Sequence, residues 1–277
     1  MSADGFAEAP DRTVTSRDGT PIAVFSLGEA MPGARPLLLV HGTSGDHRTW
    51  RVAGPMLARR RLLAAMDRRG RGDSGDSPDW AIEREVEDVA AVADALAADA
   101  GGRVDVLGHS LGGRLALAAS LVTPAIRRVV AYEAMASASA AERGLVTALR
   151  ARLDADDLDG LLATFMTEAV GMPADELAAF RANPIWALRA AAGPTIVREL
   201  EAALAAPAIG LDALAAIRVP VLQLVGSASP AWFADGARAL DARLADGRLV
   251  VIEGARHGAH HSHAAEFTAR VEAFLDA

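Results

Sequence analysis

Residues 104–119 read VDVLGHSLGGRLALAA. A short apolar run, typical of a buried strand, leads into the pattern G-x-S-x-G at residues 108–112 and then into an alanine-rich helix. Side chains at positions 108 and 112 would clash with so sharp a turn, which holds Ser110 in a strained conformation. The turn exposes the Ser110 hydroxyl and places the Leu111 N–H at a helix N-terminus, where it can stabilise a developing negative charge. Ser110 is therefore the predicted nucleophile, and a serine that merely caps the helix is the alternative.

The flanking sequence alternates short apolar runs with helical patterns. This alternation favours parallel strands joined by crossover helices. It predicts an α/β fold with a mostly parallel, eight-stranded twisted sheet and helices on both faces. The predicted strands are 13–16, 22–26, 37–40, 62–66, 104–107, 129–132, 219–225 and 249–252.

One long segment breaks this alternation. Residues 138–206 contain many alanines and no good strand pattern. A crossover connection needs only about a dozen residues, so we predict a helical cap inserted between two core strands. The predicted core is then 1–137 and 207–277. Ordinary crossover helices remain the alternative.

Composition excludes several kinds of protein. The 277 residues include no cysteine, which rules out disulfides and thiolate catalysis. The formal net charge of −8 disfavours nucleic acid as a partner. The polar first residues do not resemble a secretory signal, and no apolar run approaches the roughly 20 residues that span a bilayer. We expect a cytoplasmic protein that acts on a small molecule, with no membrane partner.

These motifs, in this order, resemble the α/β-hydrolase family over nearly the whole chain. His41-Gly42 is similar to the family's oxyanion loop, and the resemblance implies that the Thr43 N–H is a second oxyanion donor beside that of Leu111. The run DRRGRGDSG, residues 67–75, resembles a D-x-R-G-x-G-x-S loop of the family. Its arginines are expected to form ion pairs that stabilise the loop, and an anion site is the alternative.

The predicted general base is His257. It follows the last apolar run in the sequence Gly254-Ala255-Arg256-His257, which matches the family's G-x-x-H position and the chain order nucleophile, acid, histidine. A serine hydroxyl is a weak nucleophile until such a base accepts its proton. The neighbouring histidines lack a complete metal-ligand pattern, so we predict no metal. His109 is expected to pack, and His41 to brace the oxyanion loop.

The acid of the triad departs from the family pattern. The position that usually carries aspartate is Ser229 here, and a serine cannot supply a negative charge. Glu133, at the end of the strand after the nucleophile helix, lies in a context similar to that of some haloalkane dehalogenases. We predict Glu133 as the acid that orients His257. A cap-hinge ion pair or a contact with substrate are the alternatives for Glu133, and Asp235 is a weaker candidate acid.

The predicted function is a serine hydrolase that cleaves a small carboxylic ester, lactone or thioester through an acyl-enzyme, without a cofactor. Three alternatives stay open: a non-hydrolytic enzyme (lyase, cyclase or cofactor-free oxygenase, for example of secondary metabolism), a carbon–carbon bond hydrolase, and a small-molecule receptor. Ordinary core packing is the alternative for each aromatic or Met residue predicted to line an apolar substrate pocket. Those residues are Trp50, Phe165, Met166, Trp186 and Trp232.

Overall fold

A computed structural model describes residues 5–135, 141–205 and 209–277 of the chain. Its sheet has eight strands in the order β1-β2-β4-β3-β5-β6-β7-β8. The first two strands run antiparallel to their neighbours and the others pair in parallel. The strands are β1 (Arg12–Thr15), β2 (Pro21–Leu27), β3 (Leu37–Val40), β4 (Leu63–Met66), β5 (Val104–His109), β6 (Ile126–Tyr132), β7 (Val221–Gly226) and β8 (Gly247–Ile252).

Helices flank the sheet, and the described helices fall into three groups. On the core they are α1 (Ala53–Leu57), α2 (Ile82–Asp99) and α3 (Leu111–Ala119). Between β6 and β7 lie α4 (Ala141–Asp154), α5 (Leu158–Thr164), α6 (Ala174–Arg181), α7 (Ile185–Ala190), α8 (Gly193–Ala205) and α9 (Leu211–Leu214). The last three are α10 (Ala231–Asp241), α11 (Ala259–Ser262) and α12 (Ala264–Leu275).

Two apolar clusters lie on the two faces of the sheet. One contains residues of α2 and α3, and the other contains residues of α1 and α12. All residues of the central strands β3 and β4 are buried, as expected for parallel strands covered on both faces. The predicted fold, a mostly parallel eight-stranded sheet flanked by helices, is confirmed.

The helices between β6 and β7 have an apolar cluster of their own. It includes Leu149, Leu161, Phe165, Trp186 and Ile196, so these helices pack on one another as well as on the core. The predicted cap boundaries at 138 and 206 lie outside the described residues. The division into core and cap therefore stays a prediction.

None of the described helices combines the length and the apolar character needed to cross a bilayer.

The parallel strands end along one edge of the sheet, where α/β folds usually bind ligands. β3 ends before His41, β5 before Ser110 and β6 before Glu133. The turn after β8 carries His257. The predicted chemical residues, although distant in sequence, therefore meet at this edge.

Candidate active site

The turn between β5 and α3 holds Ser110 with a φ of 54° and a ψ of −127°. Few non-glycine residues adopt a positive φ, and such strain is typical of functional positions. The Ser110 N–H donates to the Tyr132 carbonyl at 2.8 Å, which fixes the turn to the neighbouring strand. The strained turn predicted from the sequence is thus present.

The glycines of this turn leave no room for a side chain. A Cβ at Gly108 would lie 2.4 Å from the Gly112 carbonyl oxygen, and one at Gly112 would lie 2.3 Å from the His41 carbonyl oxygen. Real Cβ atoms do not approach backbone so closely. The two glycines therefore let α3 pack against β5 and the His41 loop.

Glu133 and His257 are in direct contact. The His257 Nδ1 lies 2.6 Å from the Glu133 Oε2, and the Glu133 side chain is fully buried. Asp235, the weaker candidate, is instead exposed and paired with Arg238 at 2.9 Å. The described geometry thus places Glu133, and not Asp235, where it can orient the imidazole.

The backbone holds the Glu133 carboxylate in place. The Glu133 Oε1 accepts a hydrogen bond of 2.8 Å from the Gly226 N–H. The backbone N–H of Glu133 donates to the Leu224 carbonyl at 2.9 Å. Glu133 has a φ of 45°, so it shares with Ser110 the rare left-handed backbone conformation. The side-chain oxygen of Ser229 is buried and has no partner among the described residues.

The loop that carries His257 is fastened by two residues whose roles the sequence did not reveal. Tyr132 donates a hydrogen bond to the Arg256 carbonyl and accepts one of 3.3 Å from the Ala259 N–H. His109 donates from Nε2 to the His257 carbonyl at 2.9 Å. Burial holds the pKa of His109 well below its ordinary value, so this ring is neutral at pH 7.

The loop after β3 is braced by His41. The His41 Nε2 accepts from the Arg68 N–H at 2.9 Å, and its Nδ1–H donates to the Gly42 carbonyl at 2.8 Å. Burial lowers the pKa of His41 well below its ordinary value, which agrees with this neutral tautomer. A Cβ at Gly42 would lie 2.9 Å from the Ser110 Cβ, so the loop passes directly beside the serine.

Ser110, His257 and Thr43 line one cavity of about 420 Å³. Phe165 and Met166, both predicted, also line it. They begin a short π-helical turn, Phe165–Ala169, a geometry that often marks functional sites. The cavity volume lies in the range of small-molecule sites.

The structure places the three predicted tryptophans away from the residues that line this cavity. Trp50 is fully buried in the core behind His260. Trp186 packs inside the α4–α8 cluster and its indole N–H donates to Asp159 at 2.7 Å. Trp232 is 38% exposed, and it is the next residue of α10, Phe233, that stacks on the His257 ring. An aromatic residue in the sequence indicates a buried apolar position, but it does not indicate which apolar cluster the side chain joins.

The arginines of residues 67–75 form ion pairs, as expected. Arg68 contacts Glu85 and Glu199 at 2.6 Å, and Arg71 contacts Glu199 at 2.6 Å. Arg69 pairs with Asp88 at 2.6 Å. Because Glu199 lies on α8, the network ties the helices between β6 and β7 to the loop beside His41.

One group of described residues has metal-ligand geometry. Asp46, His47 and Asp67 place ligand atoms within 4.8 Å of one another. Each already has a protein partner, since Asp67 accepts from the His47 N–H at 2.7 Å and Asp46 pairs with Arg48. This group therefore needs no cation to satisfy its carboxylates.

The α/β hydrolase family model matches residues 37–271. A solved alpha/beta hydrolase from Sphaerobacter thermophilus DSM 20745 is 32% identical, with a TM-score of 0.77 over 92% of this chain and 99% of that one. The enol-lactonase from Burkholderia xenovorans LB400 is 22% identical, with a TM-score of 0.74 over 96% and 100%.

A curated relative matches the chain over a shorter region. The dihydrolipoyllysine-residue acetyltransferase component of the acetoin cleaving system of Pseudomonas putida is 31% identical over 137 residues. These residues cover 49% of this chain and 35% of that protein. The chain thus matches about a third of the length of this relative.

Proposed function

Because the chain belongs to the alpha/beta hydrolase family, we propose that it is a serine hydrolase that cleaves a small carboxylic ester, lactone or thioester through an acyl-enzyme. The observation that carries the proposal is the 2.6 Å contact between His257 Nδ1 and Glu133 Oε2, on a histidine that shares one cavity with the strained Ser110.

In this mechanism Ser110 Oγ attacks the substrate carbonyl while His257 accepts the hydroxyl proton through its other ring nitrogen, Nε2. The buried Glu133 carboxylate holds the imidazole in the required tautomer and stabilises its protonated form. His257 then returns the proton to the leaving alcohol or thiol. Water attacks the acyl-enzyme by the same route and releases the acid.

The oxyanion of each tetrahedral intermediate would be bound by the N–H groups of Thr43 and Leu111. Leu111 is the first residue of α3, so its N–H has no partner inside the helix. The Thr43 loop is fixed by His41 and lies beside Ser110. Donors held in place before the reaction stabilise the developing charge without reorganisation.

A lactone stays in this substrate range beside the ester and the thioester, since an enol-lactonase shares this fold. At 22% identity that likeness establishes the fold alone, so the ester, lactone and thioester remain joint candidates. Phe165 and Met166 on the cavity wall favour an apolar portion in the substrate.

The test is labelling with a fluorophosphonate, which reacts with activated serines. We expect one adduct per chain, on Ser110, located by mass spectrometry. The Ser110→Ala variant should give none. Ser120→Ala is the matched control, because Ser120 lies at the other end of α3 and donates to the Leu117 carbonyl; it should label normally.

A folded protein without an adduct would contradict the proposal. The result would favour the non-hydrolytic and receptor alternatives, which use the fold without acylating the serine. If the protein does label, a panel of 4-nitrophenyl esters and of lactones would distinguish ester hydrolysis from lactone hydrolysis.

A further inference from the structure

The cavity beside Ser110 contains two arginines without carboxylate partners. Arg189, on α7, and Arg51 both line it, and neither forms an ion pair within 4.0 Å in the part of the chain that the structure describes. The whole chain carries a formal charge of −8. A positively charged cavity in an acidic protein therefore needs a reason.

Arg189 is poorly satisfied. Its NH2 donates a long hydrogen bond of 3.4 Å to the Thr49 hydroxyl, and its Nε is buried with no partner among the described residues. A guanidinium has five N–H donors, and leaving them unpaired in a desolvated position costs free energy. Burial lowers the pKa of Arg189 to about 10, so the group is still charged at neutral pH.

The other charged groups around the cavity do not neutralise these arginines. Glu176, on the cavity wall, pairs with Arg256 at 3.3 Å. Asp46 is the carboxylate that acts on Arg189 electrostatically, but its oxygens form an ion pair with Arg48. Neither Arg189 nor Arg51 therefore has an ion-pair partner of its own in the described ranges.

His260 and His261, on this wall, add no charge to the cavity. Burial, together with the positive charges of Arg51 and Arg189, lowers the pKa of His261 to about 3. Burial likewise holds the pKa of His260 well below its ordinary value. The positive potential of the cavity therefore comes from the arginines.

We propose that Arg189 and Arg51 bind a carboxylate of the substrate, so that the ester or lactone opened at Ser110 carries a second, free carboxylate. The planar guanidinium matches the two oxygens of a carboxylate, and a desolvated site strengthens the pair. The rest of the wall includes Phe165, Met166 and Phe180, and such an apolar wall disfavours a multiply charged group such as a phosphate dianion.

This proposal rests on the proposed function, since it places the substrate at Ser110. The first experiment compares 4-nitrophenyl hydrogen glutarate, which is anionic, with its neutral methyl ester. We expect kcat/KM to be about 10- to 100-fold higher for the anionic ester. Arg189→Met should abolish most of that preference, because it removes the charge that binds the anionic ester.

Arg150→Met is the matched control. Arg150 is also on the segment between β6 and β7, but it is exposed and paired with Glu201. The variant removes the same charge away from the cavity, so the preference should persist. A wild-type enzyme that prefers the neutral ester, or a preference that survives Arg189→Met, would overturn the proposal.

A second experiment separates this proposal from the proposed function. Calorimetry with the Ser110→Ala protein measures binding of monomethyl glutarate, dimethyl glutarate and butyl phosphate without chemistry. We expect the monoanionic carboxylate to bind best, and Arg189→Met to weaken it at least about 10-fold. If binding depends on Arg189 but the wild-type protein hydrolyses no ester, the proposed hydrolase function is disproved and the proposed carboxylate site stands. Tighter binding of butyl phosphate, or no dependence on Arg189, would disprove the site itself.

Discussion

Glu133 and Glu199 are each only 1% exposed, yet their surroundings differ. Glu133 contacts one imidazole and one backbone N–H. Glu199 lies between the guanidinium groups of Arg68 and Arg71. A carboxylate beside a titratable base can take part in proton transfer, whereas one between two permanent cations can only hold them in place. Equal burial thus accompanies two different tasks.

The pKa of Glu199 reflects its surroundings. Burial alone would raise it, but Arg68 and Arg71 outweigh that effect and hold the pKa below the ordinary value. The pKa of Glu85, in the same network, is raised mainly by burial, and the negative charge of Glu199 raises it further. The network therefore stabilises the fold through ion pairs between buried groups, and removal of one member leaves a charge undercompensated in the interior.

The largest expected effect tests the Glu133 half of this contrast. Glu133→Gln removes the charge that stabilises protonated His257, so we expect kcat to fall about 10³- to 10⁴-fold. Asp235→Asn is the control and should change kcat less than about twofold, because Asp235 is exposed and away from His257. Steady-state kinetics with a reactive ester gives both values. Equal losses in the two variants would remove Glu133 from the mechanism.

The next effect tests the Glu199 half. Glu199→Gln leaves Arg68 and Arg71 undercompensated, so the free energy of unfolding in urea should fall by about 3 kcal/mol. Glu201→Gln, two residues further along α8, removes an exposed pair with Arg150 and should cost less than about 1 kcal/mol. Fluorophosphonate labelling of Ser110 should survive both changes. Unchanged stability in Glu199→Gln would show that the network does not support the fold.

The smallest effect uses pH to separate the two regions. A histidine whose pKa is lowered in the native state stabilises the fold at pH values above its pKa in the unfolded state, about 6.5. This contribution is lost as the pH falls below that value. Since the native pKa of His261 is about 3, this residue alone should reduce the free energy of unfolding by about 2 kcal/mol between pH 7.5 and 5. His261→Asn should remove that share of the pH dependence.

The exposed pair of Glu201 with Arg150 offers a control that leaves both buried regions intact. Glu201→Gln should give a curve of unfolding free energy against pH that runs parallel to that of the wild type from pH 7.5 to 5. A change of slope in this variant, or an unchanged slope in His261→Asn, would contradict the assignment of the two regions.

Much of the fold could be predicted because its signals are local. The predicted strand 37–40 matches β3 residue for residue, since a short apolar run indicates a buried strand. The nucleophile turn was also predictable, because side chains at Gly108 and Gly112 would clash within a turn of five residues. Glu133 could be proposed because it ends the strand after the nucleophile helix, in a context that resembles that of some haloalkane dehalogenases.

The rest depends on contacts between residues far apart in sequence. Nothing local indicates that Trp50 packs in the core while Phe233 stacks on His257. Nor does the local sequence indicate that Arg68 pairs with two carboxylates while Arg189 pairs with none among the described residues. Among 28 basic residues, all arginine, the sequence shows no difference between a paired and an unpaired guanidinium. That difference arises only when helices separated by over a hundred residues come together.

The position of Glu133 limits how this protein can be re-engineered. Beyond it, Ala134 and Met135 pack into the core, and the chain then leads towards α4. A chimera that replaced the whole segment from the end of β6, to graft another specificity onto this scaffold, would discard the proposed acid together with the old pocket. A junction placed after Met135 would keep the acid with the scaffold, but the new segment would also have to supply a carboxylate in place of Glu199 between Arg68 and Arg71.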